Sequence, residues 1–484
     1  MWSDRPSAKR RERLAGRLRA ILPAPRPGSR GSKTPLRTAG SKPPTPRQVA
    51  EELRERPGFA WLDGGDARGG DHLLYAQPLA TLAVRAGRAT VSGPGGSARF
   101  AAGGFDLLEA AFAAWGSAGA GATLVGYLGY ELAGELESLP PPPADDLGLP
   151  DLHLALYDAA LRWEGRGWTL EATDAWRSHS AIEAESALKA ARRRPDPEIP
   201  AGRLAADGVV SRPTRGGFEA AVTRIVERIA TGEIFQMNLC RRLEAEVPAP
   251  ILWPLYQRLR AASPAEHGAF LDLGENRAVL SISPERFLAV RGSEVESWPI
   301  KGTRPRGANP REDRALAREL LESEKDRAEL TMIVDVTRND LGRVCETGSV
   351  EVTDHARLMS LPTLHHTVST VRGRLRPDAG PAELLRASFP PASITGAPKI
   401  QAMAVIAAEE ERRRGPAMGA LGWISLHGDL DLAVAIRTAA AARGKVAYHA
   451  GCGIVADSDP ELEFAESAAK ARAFLSALGA GEPG

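Results

Sequence analysis

Between residues 212 and 478 the hydrophobic positions switch repeatedly between a helical and a strand period. In RGGFEAAVTRIVERIATGE, the residues Phe218, Val222, Ile225 and Ile229 recur at helical spacing, which predicts an amphipathic helix ending near Gly232. The next stretch, IFQMNLCRR, alternates: Phe235, Met237 and Leu239 take one side, Gln236 and Asn238 the other. That is a strand with a polar face, which borders a site or a solvent edge. Further strands are predicted at 268–273, 278–282, 286–290, 421–426, 433–437 and 446–449, and helices near 311–341, 398–412 and 460–477. The last helix has a clear start, with Ser458 or Asp459 as N-cap and Pro460 in the first turn. Strands and helices mixed without regular βαβ alternation predict an α+β fold on antiparallel sheets.

Upstream the pattern is weaker. QVAEELRERPGFAWLDGG reads as helix, turn and strand, and the Pro-rich stretches at 139–146 and 191–200 read as linkers. They suggest an N-terminal portion at 46–190, apart from the region 212–478. Residues 1–45 are basic, rich in Pro, Gly and Ser, and nearly free of acids, so a disordered tail is expected there. Residues 110–130 carry no charge over 21 positions, but they are mostly Ala and Gly with a turn-like GSAGAG in the middle. A buried helix followed by a buried strand is expected there rather than a membrane span.

Composition narrows the function classes. A formal net charge of +1 over 484 residues argues against a dedicated nucleic-acid binder. Cys240, Cys345 and Cys452 are far apart and fit no metal-ligand spacing, which points to a reducing compartment, the cytoplasm. SITGAPK (393–399) lacks the spacing of a Walker loop, and no H-E-x-x-H, G-x-S-x-G or G-x-G-x-x-G stands in a usable context.

Two predicted helices carry acids at suggestive spacing. Asp326 and Glu329 share one helix face, as do Glu463, Glu466 and Lys470. Two such pairs facing each other suit Mg²⁺, which takes few carboxylates and an anionic substrate. A solvated helix face with a Glu466–Lys470 ion pair gives the same spacing, so spacing leaves both readings open. Gly451 and Gly453, between a strand and the second helix, allow close backbone approach or simply a tight connection.

Several long strings then occur in order: SPERF, PIKGTRPRG, KDRAELTMIVDVTRNDLGR, HHTVSTVRG, SITGAPKIQAM, HGDLDLAVAIRT and GCGIVADSDPELEFAES. Together they resemble the chorismate-utilising enzymes over about 212–478, and LVGYLGYEL resembles that family's N-terminal portion more weakly. The resemblance implies two stacked antiparallel sheets flanked by helices, an α/β/β/α sandwich. It implies that Glu329 and Glu466 bind Mg²⁺ directly, while Asp326 and Glu463 hold its waters. Arg437, Lys470 and the backbone at Gly451 and Gly453 would cradle the carboxylates of chorismate. Gly302 and Thr303 would line the ring, and His366 would sit beside it. Glu285 would be the general acid for the departing C4 hydroxyl, with a pKa raised by burial. One departure is Met418, where the family commonly has an aromatic residue; Met fills similar space.

Lys301 decides the branch. PIKGT resembles the aminodeoxychorismate synthases, whereas anthranilate synthases resemble PIAGT. A lysine amine is nucleophilic when neutral and could add to the ring before ammonia does. Gln236 stands where isochorismate and salicylate synthases resemble this strand with a lysine base, so water addition is disfavoured. The implied reaction takes ammonia from a separate glutamine amidotransferase subunit in a heterodimer. A separate aminodeoxychorismate lyase would then make 4-aminobenzoate for folate. The alternatives are anthranilate synthase component I, which a tryptophan pocket in the N-terminal portion would favour, and a non-catalytic homologue.

Overall fold

Strands from both halves of the chain pair into two twelve-stranded sheets, and the pairing is antiparallel. The computed structural model describes all residues except 1–7, 27–28, 37–41, 66–69, 119–121, 177–179, 203, 205–206, 362–363 and 484. Between the sheets lies a core of small and aromatic side chains, among them Ala269, Ala433, Ala440, Ala447, Val125 and Tyr127. The alanines let the two faces approach closely. Helices close both outer faces. Leu252–Ala262 and Pro460–Leu478 pack Leu255, Leu259 and Phe474 toward Leu280 and Tyr448 of one sheet. Gly104–Trp115, Glu324–Gly342 and Pro381–Ser388 pack Phe105, Leu330 and Leu385 into the core that holds Val290 and Leu432 of the other. This is the helix/sheet/sheet/helix sandwich expected.

Residues 46–190 and 212–478 do not form separate sheets. Ala60–Asp63 pairs with His267–Asp272 in one sheet, and Thr123–Leu128 pairs with Ala420–Ser425 in the other. Gly126 pairs with Gly422 across the second junction, and a Cβ on Gly126 would lie 1.9 Å from the His153 carbonyl oxygen of Leu152–Tyr157, the strand on its other side.

The disordered tail expected at 1–45 is corrected over its described residues; 1–7, 27–28 and 37–41 lie outside them. Ala8–Ile21 is a helix whose Leu14, Ala15, Leu18 and Ile21 are buried, and Gly31–Leu36 pairs with Trp168–Thr173. The basic composition conceals an apolar stripe at helical spacing, and the arginines lie outside it. Trp115 Nε1 donates to the Leu22 carbonyl at 3.0 Å and anchors the end of this segment. Phe235 also differs from expectation. It is 60% exposed, while Met237 and Leu239 are buried, because the strand begins one residue later, at Gln236–Glu246.

The charge-free stretch resolves into the buried helix Gly104–Trp115 and the buried strand Thr123–Leu128. Among the described residues no helix is long and apolar enough to cross a membrane. All three cysteines are free and buried. The single helix expected over 311–341 is two, Pro310–Glu322 and Glu324–Gly342. Ser323 breaks it with extended backbone and caps the second helix, its Oγ accepting from the Asp326 amide at 3.2 Å.

Candidate active site

A cavity of about 140 Å³ lies where Gln236–Glu246 and Lys445–Ile454 of one sheet meet Ile300–Pro305 and Leu364–Arg374 of the other. The helices Glu324–Gly342 and Pro460–Leu478 complete its wall. The second helix starts as expected: the Asp459 carboxylate accepts from the amides of Glu461 and Leu462, Pro460 follows, and Gly479 ends it at φ +75°. Capping fixes which face, carrying Glu463, Glu466 and Lys470, reaches the cavity.

Every candidate residue lines the cavity except Gln236. That glutamine lies on the same face of its strand as Asn238, its Nε2 2.7 Å from the place a Gly453 Cβ would take, while Asn238 lines the cavity itself. The same point above Gly453 is 3.2 Å from Lys301 Nζ and 3.4 Å from Glu329 Oε2. A side chain at 453 would therefore crowd a lysine and an acid from two other elements. Gly451 has a different reason. Its Cβ would meet Cys240 Sγ at 2.6 Å and the Leu239 carbonyl at 2.8 Å, so packing of the adjacent strand requires the glycine.

Lys301 opens a bulge. Lys301 pairs with Thr367 and Thr303 with His366, with a register shift at Gly302, whose φ is +69°. The Lys301 amine donates to the Ser393 carbonyl at 3.3 Å and is not solvated loop charge. Glu285 is nearly fully buried, and burial pushes its carboxyl up to about 7, against the pull of the Ser393 hydroxyl and the Lys301 amine. It can therefore carry a proton near neutral pH.

His366 is wedged between the bulge and Arg437. Its Nε2 lies 3.1 Å from Arg437 Nη2, which can only donate, so the proton sits on Nδ1 and is directed to the Gly302 carbonyl at 3.1 Å. Burial, then Arg437, holds the imidazole down at about 3, so it is neutral. Arg437 and Met418 are both non-glycine residues at positive φ, +49° and +62°, and both line the cavity. Strained backbone held by its surroundings is often found at functional sites.

The acids divide unevenly. Asp326 pairs with Arg304 at 3.1 Å; Glu463 accepts from Ser458 at 2.6 Å; Glu466 pairs with Lys470 at 2.7 Å and is about half exposed at the rim. The i, i+4 ion pair anticipated for Lys470 thus forms, and the same amine also donates to the Gly451 carbonyl at 2.8 Å. Glu329 makes no hydrogen bond or ion pair among the described residues. Burial raises the carboxyls of Glu329 and Glu463, and neighbouring carboxylates add to the rise. Lys470 holds that of Glu466 down.

Three potential ligand atoms lie within 4.8 Å of one another, on Cys452, Glu463 and Glu466. The Cys452 thiol is driven up by burial and donates to the Glu463 carbonyl, so it is a poor partner for a hard ion. Glu329 and Asp326 face this pair of glutamates from the other helix.

Sequence reasoning missed Arg304, Lys325, Ser393 and Tyr448, which also line the cavity. Tyr448 stacks on Phe474 at 4.7 Å, and nothing in an apolar strand sets it apart from a core tyrosine. Ser393 stood in a turn already singled out, but only the fold brings it to Lys301.

The sequence profile described as chorismate binding enzyme matches residues 59–476. Aminodeoxychorismate synthase of Streptomyces griseus is 42% identical over 370 residues, covering 74% of this chain but only 50% of that protein. The match therefore spans half the length of that relative. Anthranilate synthase component 1 of Streptomyces coelicolor is 41% identical over 375 residues, covering 73% of this chain and 72% of the relative. The crystal structure of anthranilate synthase component I from Streptococcus pneumoniae aligns with a TM-score of 0.73 at 28% identity, covering 84% of this chain and 93% of that one. With cavity, sandwich and profile in agreement, the chain belongs to the chorismate binding enzyme family.

Proposed function

We propose that this protein is the aminating component of an aminodeoxychorismate synthase, converting chorismate and ammonia to 4-amino-4-deoxychorismate. The observation that carries the reading is Lys301, held inside the cavity by the Ser393 carbonyl and close to Glu285 and Glu329. The Lys301 amine adds through its nitrogen lone pair at C2 of the ring, the double bond shifts, and the C4 hydroxyl leaves as water with the proton of Glu285. The adduct returns a proton to Glu285. Ammonia then attacks C4, the double bond shifts back, and the Lys301 amine leaves C2 with that proton. Arg437, Lys470 and the Gly453 backbone bind the substrate's carboxylates, and neutral His366 holds Arg437 and the Gly302 bulge in register.

The acid-rich wall fits Mg²⁺, because Glu329 has no ion-pair partner among the described residues and the carboxyls around it repel one another. Glu329 and Glu466 would hold the ion, with Asp326 and Glu463 holding its waters. Bound there, it would neutralise and fix the ring carboxylate. Ammonia would come from a glutamine amidotransferase subunit in a heterodimer, and a separate lyase would complete 4-aminobenzoate for folate.

The second reading, anthranilate synthesis, is favoured by the 41% identity to an anthranilate synthase component and by a second cavity. That cavity, about 310 Å³, is lined in part by Leu62, Asp63, Gly64, Gly70, Asp71 and Leu73 of the N-terminal portion and gives a tryptophan inhibitor room. Incubating the protein with chorismate, Mg²⁺ and ammonium, beside Lys301→Ala, tests both. Lyase-dependent 4-aminobenzoate that the variant loses supports the first reading; fluorescent anthranilate without lyase, suppressed by tryptophan, replaces it with the second.

A further inference from the structure

Behind the cavity wall, outside the cavity itself, lies Arg414, 2% exposed. Its Nε donates to Glu410 Oε2 at 2.8 Å and its Nη2 to Glu410 Oε1 at 2.6 Å. The remaining donors go to backbone: Nη1 to the Ile394 carbonyl and Nη2 to the Asn238 carbonyl, both at 2.7 Å. Glu410 in turn accepts from the Cys240 amide at 2.9 Å. One guanidinium therefore joins the turn Ala392–Ile394 to the strand Gln236–Glu246, and both Ile394 and Asn238 line the cavity.

A buried ion pair is weak evidence for a role in stability, because apolar residues of similar volume often serve as well. What apolar residues cannot do is hold two carbonyls of two different elements at a set spacing; the planar fork of arginine can. The residue before Ile394 is Ser393, whose carbonyl receives the Lys301 amine at 3.3 Å. We infer that Arg414 is a positioning residue for Lys301: by fixing the 392–394 turn against the strand, it sets where the amine stands. The inference rests on Lys301 being the reacting group.

Its test uses Arg414→Lys in the full chain, since lysine keeps the charge but loses the fork. Limiting acetic anhydride is added, and acetylation of Lys301 is compared by peptide mass spectrometry with that of exposed Lys189 in the same digest. The ratio is expected to shift at least about threefold, and kcat to fall about tenfold with KM for chorismate within about twofold, as misplacement of a reacting group requires. Glu410→Gln, which leaves both carbonyl bonds available, shifts the ratio in the same direction but less. An unchanged ratio in folded Arg414→Lys, checked by circular dichroism melting, overturns the inference. If Arg414→Lys does not fold, the ratio in Glu410→Gln decides in the same way. A shifted ratio in a protein whose wild type makes no aminodeoxychorismate supports the positioning role while refuting the proposed reaction.

Discussion

Glu285 and Asp63 are two carboxyls with almost equal burial, 4% and 3% exposed, one at each of the two cavities described above. They end in opposite states. Burial drives Glu285 up to about 7. Burial presses Asp63 the same way, but Arg260 at 2.6 Å and His72 at 3.1 Å overcome it and hold that carboxyl far below the ordinary range. What separates an acid available for chemistry from one locked into the fold is the partner, not the depth. Lys301 stands near Glu285 without forming such a pair; its amine is directed to a carbonyl.

The sharpest way to break this contrast is to remove each charge. Glu285→Gln should lower the lyase-coupled rate by roughly 10²–10⁴-fold, the usual worth of a positioned acid, with chorismate binding retained. Asp63→Asn should leave the rate nearly unchanged but cost about 3–5 kcal/mol in urea unfolding, because Arg260 loses its buried counter-charge.

The pH dependence should also differ in sign. Glu285 has its pKa raised from 4.5 to about 7. Its contribution to stability is complete below about pH 4.5 and is lost as pH rises through 7, amounting to about 3 kcal/mol. Glu285→Gln should therefore gain on wild type by about that amount between pH 4.5 and 8. Asp63, with a depressed pKa, contributes above about pH 4 and loses that contribution as the solution is acidified. The rate of the first half-reaction should likewise fall above about pH 7 as Glu285 deprotonates. The smallest effect concerns the metal. Mg²⁺ should raise the melting temperature of wild type by a few degrees, and Glu329→Gln should abolish that shift while leaving the metal-free melting temperature nearly unchanged. A shift that persists in Glu329→Gln would move the metal elsewhere in the acidic wall.

Much of this was legible in the chain. The helix at 460–478 announced its cap, its proline and its acidic face, because capping and periodicity are local. The ordered motifs brought the family with them, and the cavity gathered all their candidate residues but one. Local pattern failed where the deciding contact was distant. The arginines of residues 8–21 outweighed four apolar positions whose burial depends on the helix Gly104–Trp115. Gln236 alternates like a site residue, yet it is Asn238, two residues on along the same strand face, that lines the cavity. Arg414 looked like one basic residue in ERRRG.

By itself, then, the sequence determined most of the helices and strands of residues 212–478, the α+β class, the family and the positions of the candidate acids, amine and glycines. These follow from periodicity, caps and motifs, which act within a few turns of the chain. Only the tertiary structure decided that the two halves share both sheets, that Asp63 is held as a carboxylate while Glu285 has the raised pKa its expected role required, and that Arg414 stands behind Lys301. Those outcomes depend on burial and on partners the fold brings in from elsewhere in the chain, such as Arg260 for Asp63 and the Asn238 carbonyl for Arg414, and electrostatics in a low-dielectric interior is set by such neighbours.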